Sequence, residues 1–355
     1  MPVRLGVIGC GKIYGTHCDA IGGIDGAELT AVYDIIPDRT AEAAGAYRAH
    51  GAANLADLWE HVDAVTICVP SGLHAEVGIE AARAGKHVLV EKPVDVSLEA
   101  AQRLVDECRQ CGVKMGTVSQ HRFARKMRKL HDAAQANELG PLVQGDAYIK
   151  WYRTQAYYDS GDWRGTWALD GGGCLMNQGV HYVDMIQWIM GGVKAVQAQV
   201  RTAAHSIEVE DTAMALVEYR NGAVGVIQGS TSCYPGFAER LEVHGRHGSV
   251  ILEGDRIKFW DIDPEGAEAG FYGGGVMMQP TPSRHTHEMQ PDEENARDTS
   301  ANWGEQHRLQ IEDFVRSIEE DREPFITGEM SLEPLKVILA IYESARDGGR
   351  RVEIA

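Results

Sequence analysis

The sequence predicts an α/β protein in two parts, a doubly wound parallel sheet followed by a larger α+β region on a second sheet. Three observations predict it. The apolar strand Val3–Ile8 runs straight into a glycine-rich turn, Gly9-Cys10-Gly11, that opens a helix. Short, nearly continuous apolar strands then alternate with helical patterns across the first third of the chain, as in a parallel sheet covered on both faces. Beyond residue 122 strand follows strand without helices between, which points to an antiparallel or mixed sheet.

The first strand and its turn carry the most information. Gly9 permits the tight turn, and Gly11, lacking a side chain, lets the backbone approach a pyrophosphate. The helix behind offers unpaired N–H groups and a positive dipole end. Tyr14 stands where a third small residue is usual, with Gly15 one step later. The second strand, Leu29–Tyr33, ends in Asp34, the acid expected about twenty residues on. A carboxylate there accepts hydrogen bonds from ribose hydroxyls and repels a 2′-phosphate. Ile35 and Ile36 bring no cation, and Arg39 is the nearest. NAD is therefore favoured over NADP.

Strands at Ala64–Val69, His87–Val90 and Lys114–Thr117 follow, with helices at Leu73–Ala84 and Leu98–Cys111. Ligands of such sheets bind outside the carboxyl ends of the strands. The unusual residues cluster there: Pro70-Ser71, Glu91-Lys92-Pro93 and Gln120-His121-Arg122. The boundary falls near residue 122, giving a dinucleotide domain, 1–122, and a substrate and oligomerisation domain, 123–355. The second begins with a basic helical segment (Arg122, Arg125, Lys126, Arg128, Lys129), a strand at Val143–Trp151 and an aromatic-rich stretch, Lys150–Trp167. A helix at Cys174–Met190 precedes strands at Val193–Thr202, Asp211–Tyr219, Ala223–Gly229, Arg240–His244, Ser249–Glu253 and Ile257–Trp260. That helix should cover one sheet face, and a subunit interface the other. Asp263–Asn302 reads as loop, and helices at Trp303–Glu319 and Ser331–Ala345 close the chain.

A chain of 355 residues supports two cores. The net charge of −18 argues against nucleic acid or an anionic membrane as a partner. No apolar run approaches a membrane span, and the chain opens on a strand with no signal-like segment, so a cytoplasmic location is expected. Seven cysteines in such a chain suggest free thiols. Cys108 and Cys111 form a lone CxxC within a helix, and His285 and His287 lack any ligand-like spacing around them, so no metal is expected.

Two segments carry chemistry. Lys92 precedes Pro93, which restricts it to extended conformations and permits a cis bond. Beside a cofactor, a partly desolvated lysine can bind a substrate oxygen or share its proton; the alternative is a surface lysine after a strand. In Gly171–Asp184, α-helical spacing places Asn177 and His181 on one face, with Asp184 three residues beyond. His181 is then a candidate general base and Asp184 its orienting partner; the alternative is a structural histidine. The basic run Arg122–Lys129, with Arg153 and Arg164, is either a solvated face or the means of neutralising an anionic substrate.

The set GCGKIYGTH (Gly9–His17), VPSGLH (Val69–His74), EKP (Glu91–Pro93), WRGTW (Trp163–Trp167) and GGGCLMNQGVHYVD (Gly171–Asp184) resembles the Gfo/Idh/MocA oxidoreductases. The C-terminal His307–Glu329 and Ala340–Gly348 fit as well, so the resemblance spans nearly the whole chain. It implies an N-terminal Rossmann domain, a C-terminal domain on an open, mostly antiparallel sheet, and homodimers or homotetramers packed through that sheet. It implies Lys92 and His181 as catalytic residues. Many members carry aspartate where this chain has Asn177, and an amide cannot act as a base, which leaves Asn177 to hold substrate. The form NQGVH after DGGG is similar to members acting on nucleotide-linked sugars.

With the resemblance, the cofactor-binding set is Gly9, Gly11, Lys12, Ile13, Asp34, Pro70, Ser71, His74, Glu91, Lys92, Gln120, Trp163 and Arg164. The substrate-binding set is Arg122, Arg153, Tyr158, Asn177 and His181. The expected activity is an NAD-dependent dehydrogenase oxidising a secondary alcohol of a sugar, cyclitol or nucleotide-sugar derivative. The alternatives are NAD-dependent glycoside cleavage with transient redox and a non-catalytic NAD-binding sensor.

Overall fold

A computed structural model describes residues 1–263 and 299–355, with side chains in the second stretch from residue 304 onward. The described residues cluster into two units. The first holds Met1–Phe123, Trp167–Gly171 and Ser300–Leu335, so it takes in a C-terminal helix that the contiguous division at residue 122 assigns to the other domain.

In the first unit, six parallel strands lie in the order β3-β2-β1-β4-β5-β6. They are β1 (Val3–Ile8), β2 (Ala27–Tyr33), β3 (His50–Gly51), β4 (Ala64–Ile67), β5 (His87–Val90) and β6 (Met115–Thr117). Helices α1 (Tyr14–Gly22), α2 (Pro37–Tyr47), α3 (Leu55–His61), α4 (His74–Arg83) and α5 (Leu98–Cys111) alternate with them. The central strands β4 and β5 are buried on both faces, as their apolar runs require. The two-residue β3 lacks an apolar pattern, and the sequence gives no sign of it. The Cys108–Cys111 pair lies on α5 with one thiol buried and one exposed, and all seven cysteines are free.

The second unit holds Ala124–Thr166, Lys336–Ala355 and the described part of Gly172–Thr299. Helix α6 (Arg125–Gln135), β7 (Leu142–Lys150) and the short α7 (Gln155–Tyr158) come first. A π-helix at Cys174–Gly179 runs into α8 (Val180–Ile189). Strands β8 (Val193–Arg201), β9 (Thr212–Tyr219), β10 (Val224–Ser230), β11 (Arg240–Gly245), β12 (Gly248–Glu253) and β13 (Arg256–Ile262) follow. After α9 (Thr299–Glu319) and α10 (Gly328–Arg346), β14 (Val352–Glu353) completes an eight-stranded sheet, β13-β12-β11-β7-β10-β9-β8-β14. It is antiparallel apart from the parallel β7–β10 pair.

Along β9, Ala213, Ala215 and Val217 are buried while Met214 and Leu216 are 57% and 60% exposed. One face is thus packed and the other bare. The expected loop 263–302 and its His285 and His287 lie largely outside the described residues, but Thr299–Asn302 already belong to α9. Among the described residues no helix is long and apolar enough to cross a membrane.

Candidate active site

The glycine turn of the first unit has the geometry its residues imply. Gly9 adopts φ +94°, and a Cβ there would sit 2.8 Å from the backbone of Cys68 and Val69, so glycine is required. A Cβ on Gly11 would meet nothing within 4 Å, which leaves open space against the turn. Asp34 ends β2; its Oδ2 accepts the Cys10 N–H at 2.8 Å and its Oδ1 accepts the Ile36 N–H at 2.9 Å. It therefore closes the turn and caps its own loop, with further lone pairs left for ribose hydroxyls. Ile35 is 82% exposed and brings no cation.

At the carboxyl end of β6, Thr117 Oγ1 and Gln120 Oε1 are buried without a hydrogen-bond partner. Orphaned polar atoms at the carboxyl end of β6 and an open glycine turn at that of β1, in one parallel sheet, suit a polar, elongated cofactor, so the residues fit NAD. Tyr14 starts α1 and packs edge-to-face on Tyr47 of α2, with ring centroids 6.1 Å apart. It therefore lies on the Asp34 side of the turn.

Several motif residues turn inward. His74 is 1% exposed, with Nδ1 2.7 Å from the Pro93 carbonyl and Nε2 2.9 Å from that of Val69. Ser71 begins a short 3-10 turn and is buried, as are Gln120 and Arg122, while Pro70 is half-buried. The Lys92–Pro93 bond is cis. Glu91 is 7% exposed: its Oε2 accepts the Lys92 N–H at 3.1 Å, and its Oε1 accepts from His17 Nε2 at 2.8 Å. Burial alone would raise the Glu91 pKa, but hydrogen bonds from His17 and His307 outweigh it and hold the carboxyl well below its usual range. Lys12 and Ile13 complete the turn, both partly or fully accessible.

The second unit builds the other half of the predicted set. The triple glycine has a packing cause at each step. Gly171 adopts φ +74°, a Cβ on Gly172 would lie 2.1 Å from the Tyr342 hydroxyl, and one on Gly173 would lie 1.7 Å from the Glu210 carbonyl. The Glu210 carboxylate accepts the N–H groups of Gly173 at 2.8 Å and Leu175 at 2.9 Å, and the Tyr342 O–H at 2.9 Å. It caps the segment that carries Asn177 and His181. The single α-helix expected over Cys174–Met190 is instead a π-turn, which carries Asn177, followed by α8, which carries His181. Within Cys174–Val180 only Asn177 is not buried. His181 is 5% and Asp184 2% exposed, and Gln187 Nε2 donates to Asp184 Oδ1 at 3.4 Å.

An arginine–aromatic cluster adjoins Asn177 along the chain. Arg153 lies over the rings of Trp151 (5.3 Å) and Tyr157 (5.5 Å); Arg164 lies over those of Tyr157 (4.6 Å) and Trp163 (4.3 Å). Arg164 donates to the Tyr157 hydroxyl at 2.8 Å, and so does Gln178 Nε2 at 2.9 Å, which leaves the buried Gln178 Oε1 without a partner. Tyr158, expected to face substrate, is 4% exposed and its hydroxyl bonds Thr231 Oγ1 at 2.7 Å. It supports the cluster from beneath. Sequence reasoning missed Tyr157, Gln178, Glu210 and His17. The first two sit beside chosen residues, and His17 lies inside a quoted motif.

Known proteins match the chain across both units. Residues 3–118 match the oxidoreductase family model with an NAD-binding Rossmann fold, and residues 127–251 match the GFO/IDH/MocA C-terminal domain. The WlbA dehydrogenase from Bordetella pertussis, solved with NADH and UDP-GlcNAcA, is 32% identical with a TM-score of 0.88, covering 100% of this chain and 98% of that one. The Chromobacterium violaceum enzyme, with the same ligands, is also 32% identical with a TM-score of 0.86, covering 100% and 96%. Myo-inositol 2-dehydrogenase of Thermotoga maritima is 28% identical over 72% of this chain and 76% of its own length. The chain belongs to the Gfo/Idh/MocA family and is an NAD-dependent oxidoreductase acting on CH–OH groups.

Proposed function

We propose that the protein oxidises a secondary alcohol of an anionic sugar derivative, with a nucleotide-linked uronate such as UDP-GlcNAcA as the substrate class. The observation that carries this reading is the pair of guanidiniums, Arg153 and Arg164, ordered on one tyrosine ring beside Asn177, in a chain of net charge −18. Cations set out by aromatic stacking in an otherwise acidic protein suit a carboxylate or phosphate. The resemblance to two dehydrogenases solved with UDP-GlcNAcA supports the same class.

When bound, NAD supplies a hydride acceptor at nicotinamide C4. His181 takes the proton of the substrate hydroxyl, and Lys92 donates a hydrogen bond to the same oxygen and stabilises its developing charge. Asn177, with the Gln178 carbonyl oxygen that lacks a partner, orients neighbouring hydroxyls; an unmade buried hydrogen bond is costly, so a substrate O–H there is favourable. NADH accumulation from UDP-GlcNAcA and a panel of uronates and neutral sugars tests the reading. Turnover of neutral sugars alone would contradict the anionic class, and substrate cleavage without NADH accumulation would indicate glycoside cleavage instead.

The bare sheet face, with Met214, Leu216 and Val224 more than half exposed, is the proposed contact of a homodimer or homotetramer. Light scattering of Leu216→Glu should show a smaller assembly than the wild type. An unchanged mass would contradict this interface.

A further inference from the structure

Resting on the proposed role of Lys92, we propose that Glu91 and His17 are positioning residues that act through the Lys92 backbone. Glu91 stands in a motif counted above among the cofactor contacts. In the structure its carboxylate points into the first unit. One oxygen holds the Lys92 N–H at 3.1 Å and the other holds His17 Nε2 at 2.8 Å. His17 Nδ1 lies 2.8 Å from Thr66 Oγ1 on β4. His307 of α9 approaches the same Glu91 oxygen at 3.7 Å and packs edge-on against His17, with ring centroids 5.5 Å apart. His17 and Thr66 are fully buried and His307 is 2% exposed.

One neutral tautomer satisfies the chain of bonds. Thr66 O–H donates to Nδ1, His17 Nε2–H donates to Glu91, and the ionised carboxylate is left to accept the Lys92 N–H. Four elements (α1, β4, the end of β5 and α9) thereby meet beneath the residue whose ammonium must stay aimed. Displacing a reacting group by about 1 Å costs roughly 100-fold in rate, so a pin on its backbone bears on turnover.

The donor atoms of His17, Glu91 and His307 lie within 4.8 Å of one another and are chemically able to hold a metal ion. The 2.8 Å His17–Glu91 separation favours a shared proton instead, because two ligands of a tetrahedral zinc stand about 3.3 Å apart.

The test compares Glu91→Gln, Thr66→Val and Thr66→Ser in the full chain. Three readings are taken: amide hydrogen exchange at Lys92, NADH affinity by fluorescence, and kcat and KM with NAD and UDP-GlcNAcA. The proposal expects faster Lys92 exchange and a kcat loss of about 10- to 100-fold in Glu91→Gln. A smaller loss of the same kind is expected in Thr66→Val, and near-wild-type behaviour in Thr66→Ser, with NADH affinity and the KM for UDP-GlcNAcA held throughout. Unchanged Lys92 exchange in Glu91→Gln would overturn it, whatever the turnover. So would a parallel loss of NADH affinity, equal behaviour of the Val and Ser variants, or stoichiometric zinc in the purified protein. If wild type turns over none of the sugars, the functional reading fails on its own and the exchange data still decide whether the pin exists.

Discussion

Asp34 shows how much one side chain can be asked to do. It closes the glycine turn through Cys10, caps its own loop through Ile36 and remains able to receive ribose hydroxyls. Asp34→Ala should weaken NAD about 10- to 100-fold, the worth of one or two hydrogen bonds to a charged group. Titration of NAD checks this, and unchanged affinity would remove Asp34 from the cofactor site. Arg164→Ala should raise the KM for a uronate more than that for a neutral sugar, because only the uronate carries the charge that the guanidinium meets. At this scale the sequence was informative about residue type and poor about direction. Asp34 and Lys92 lie just past the strand ends that their motifs mark, whereas Asn177 and His181 are divided between a π-turn and α8 that the spacing did not distinguish. His74, Glu91 and Tyr158 were assigned to ligands, yet their polar atoms bond inside the protein. Side-chain direction depends on partners distant in sequence, such as His17 for Glu91 and Thr231 for Tyr158.

The segment Gly171–Ile189 carries the corresponding lesson for elements. Its helical character was legible from the residues, but its π-turn was not. Glu210, 35 residues away, takes the Gly173 and Leu175 N–H groups that a helix start leaves open, and only the folded chain brings it there. Gly173→Ala would set a methyl against the Glu210 carbonyl at 1.7 Å, so the backbone must move. A loss of about 3 kcal/mol or more is expected, read from the denaturation midpoint, together with lost turnover. A stable, active variant would show that the triple glycine has another cause. The parallel strands β1, β4 and β5 were legible almost to the residue, since strands buried on both faces leave an unbroken apolar signature. The two-residue β3 and β14 bury too little to leave one.

For the whole molecule, burial sets the response to pH. Desolvation holds the pKa of His17 and of His87 below the ordinary histidine value, so both are neutral when folded. Below about pH 6.5 the unfolded chain takes up protons that the folded chain refuses, so stability falls as pH drops through that value. Glu91 has the opposite chemistry but the same sign: its lowered pKa contributes stability that is lost only in stronger acid. The thermal midpoint should therefore decline from about pH 7.5 to about pH 5.5, and a midpoint that rises on acidification would contradict these assignments. The two-sheet architecture and the NAD preference were readable from strand order and one acid. The return of α9 to the first unit was not, because Gln310 and His307 meet Thr117 and Glu91 across about two hundred residues of chain. The proposed dehydrogenase site on this dinucleotide fold has Lys92 and His181 serve one substrate oxygen. Its most direct test is NADH formation from UDP-GlcNAcA by wild type and by Lys92→Met, with NADH affinity measured on both. NADH formation by wild type is expected, and in the variant intact NADH binding with turnover nearly abolished. Turnover retained in the variant would contradict it.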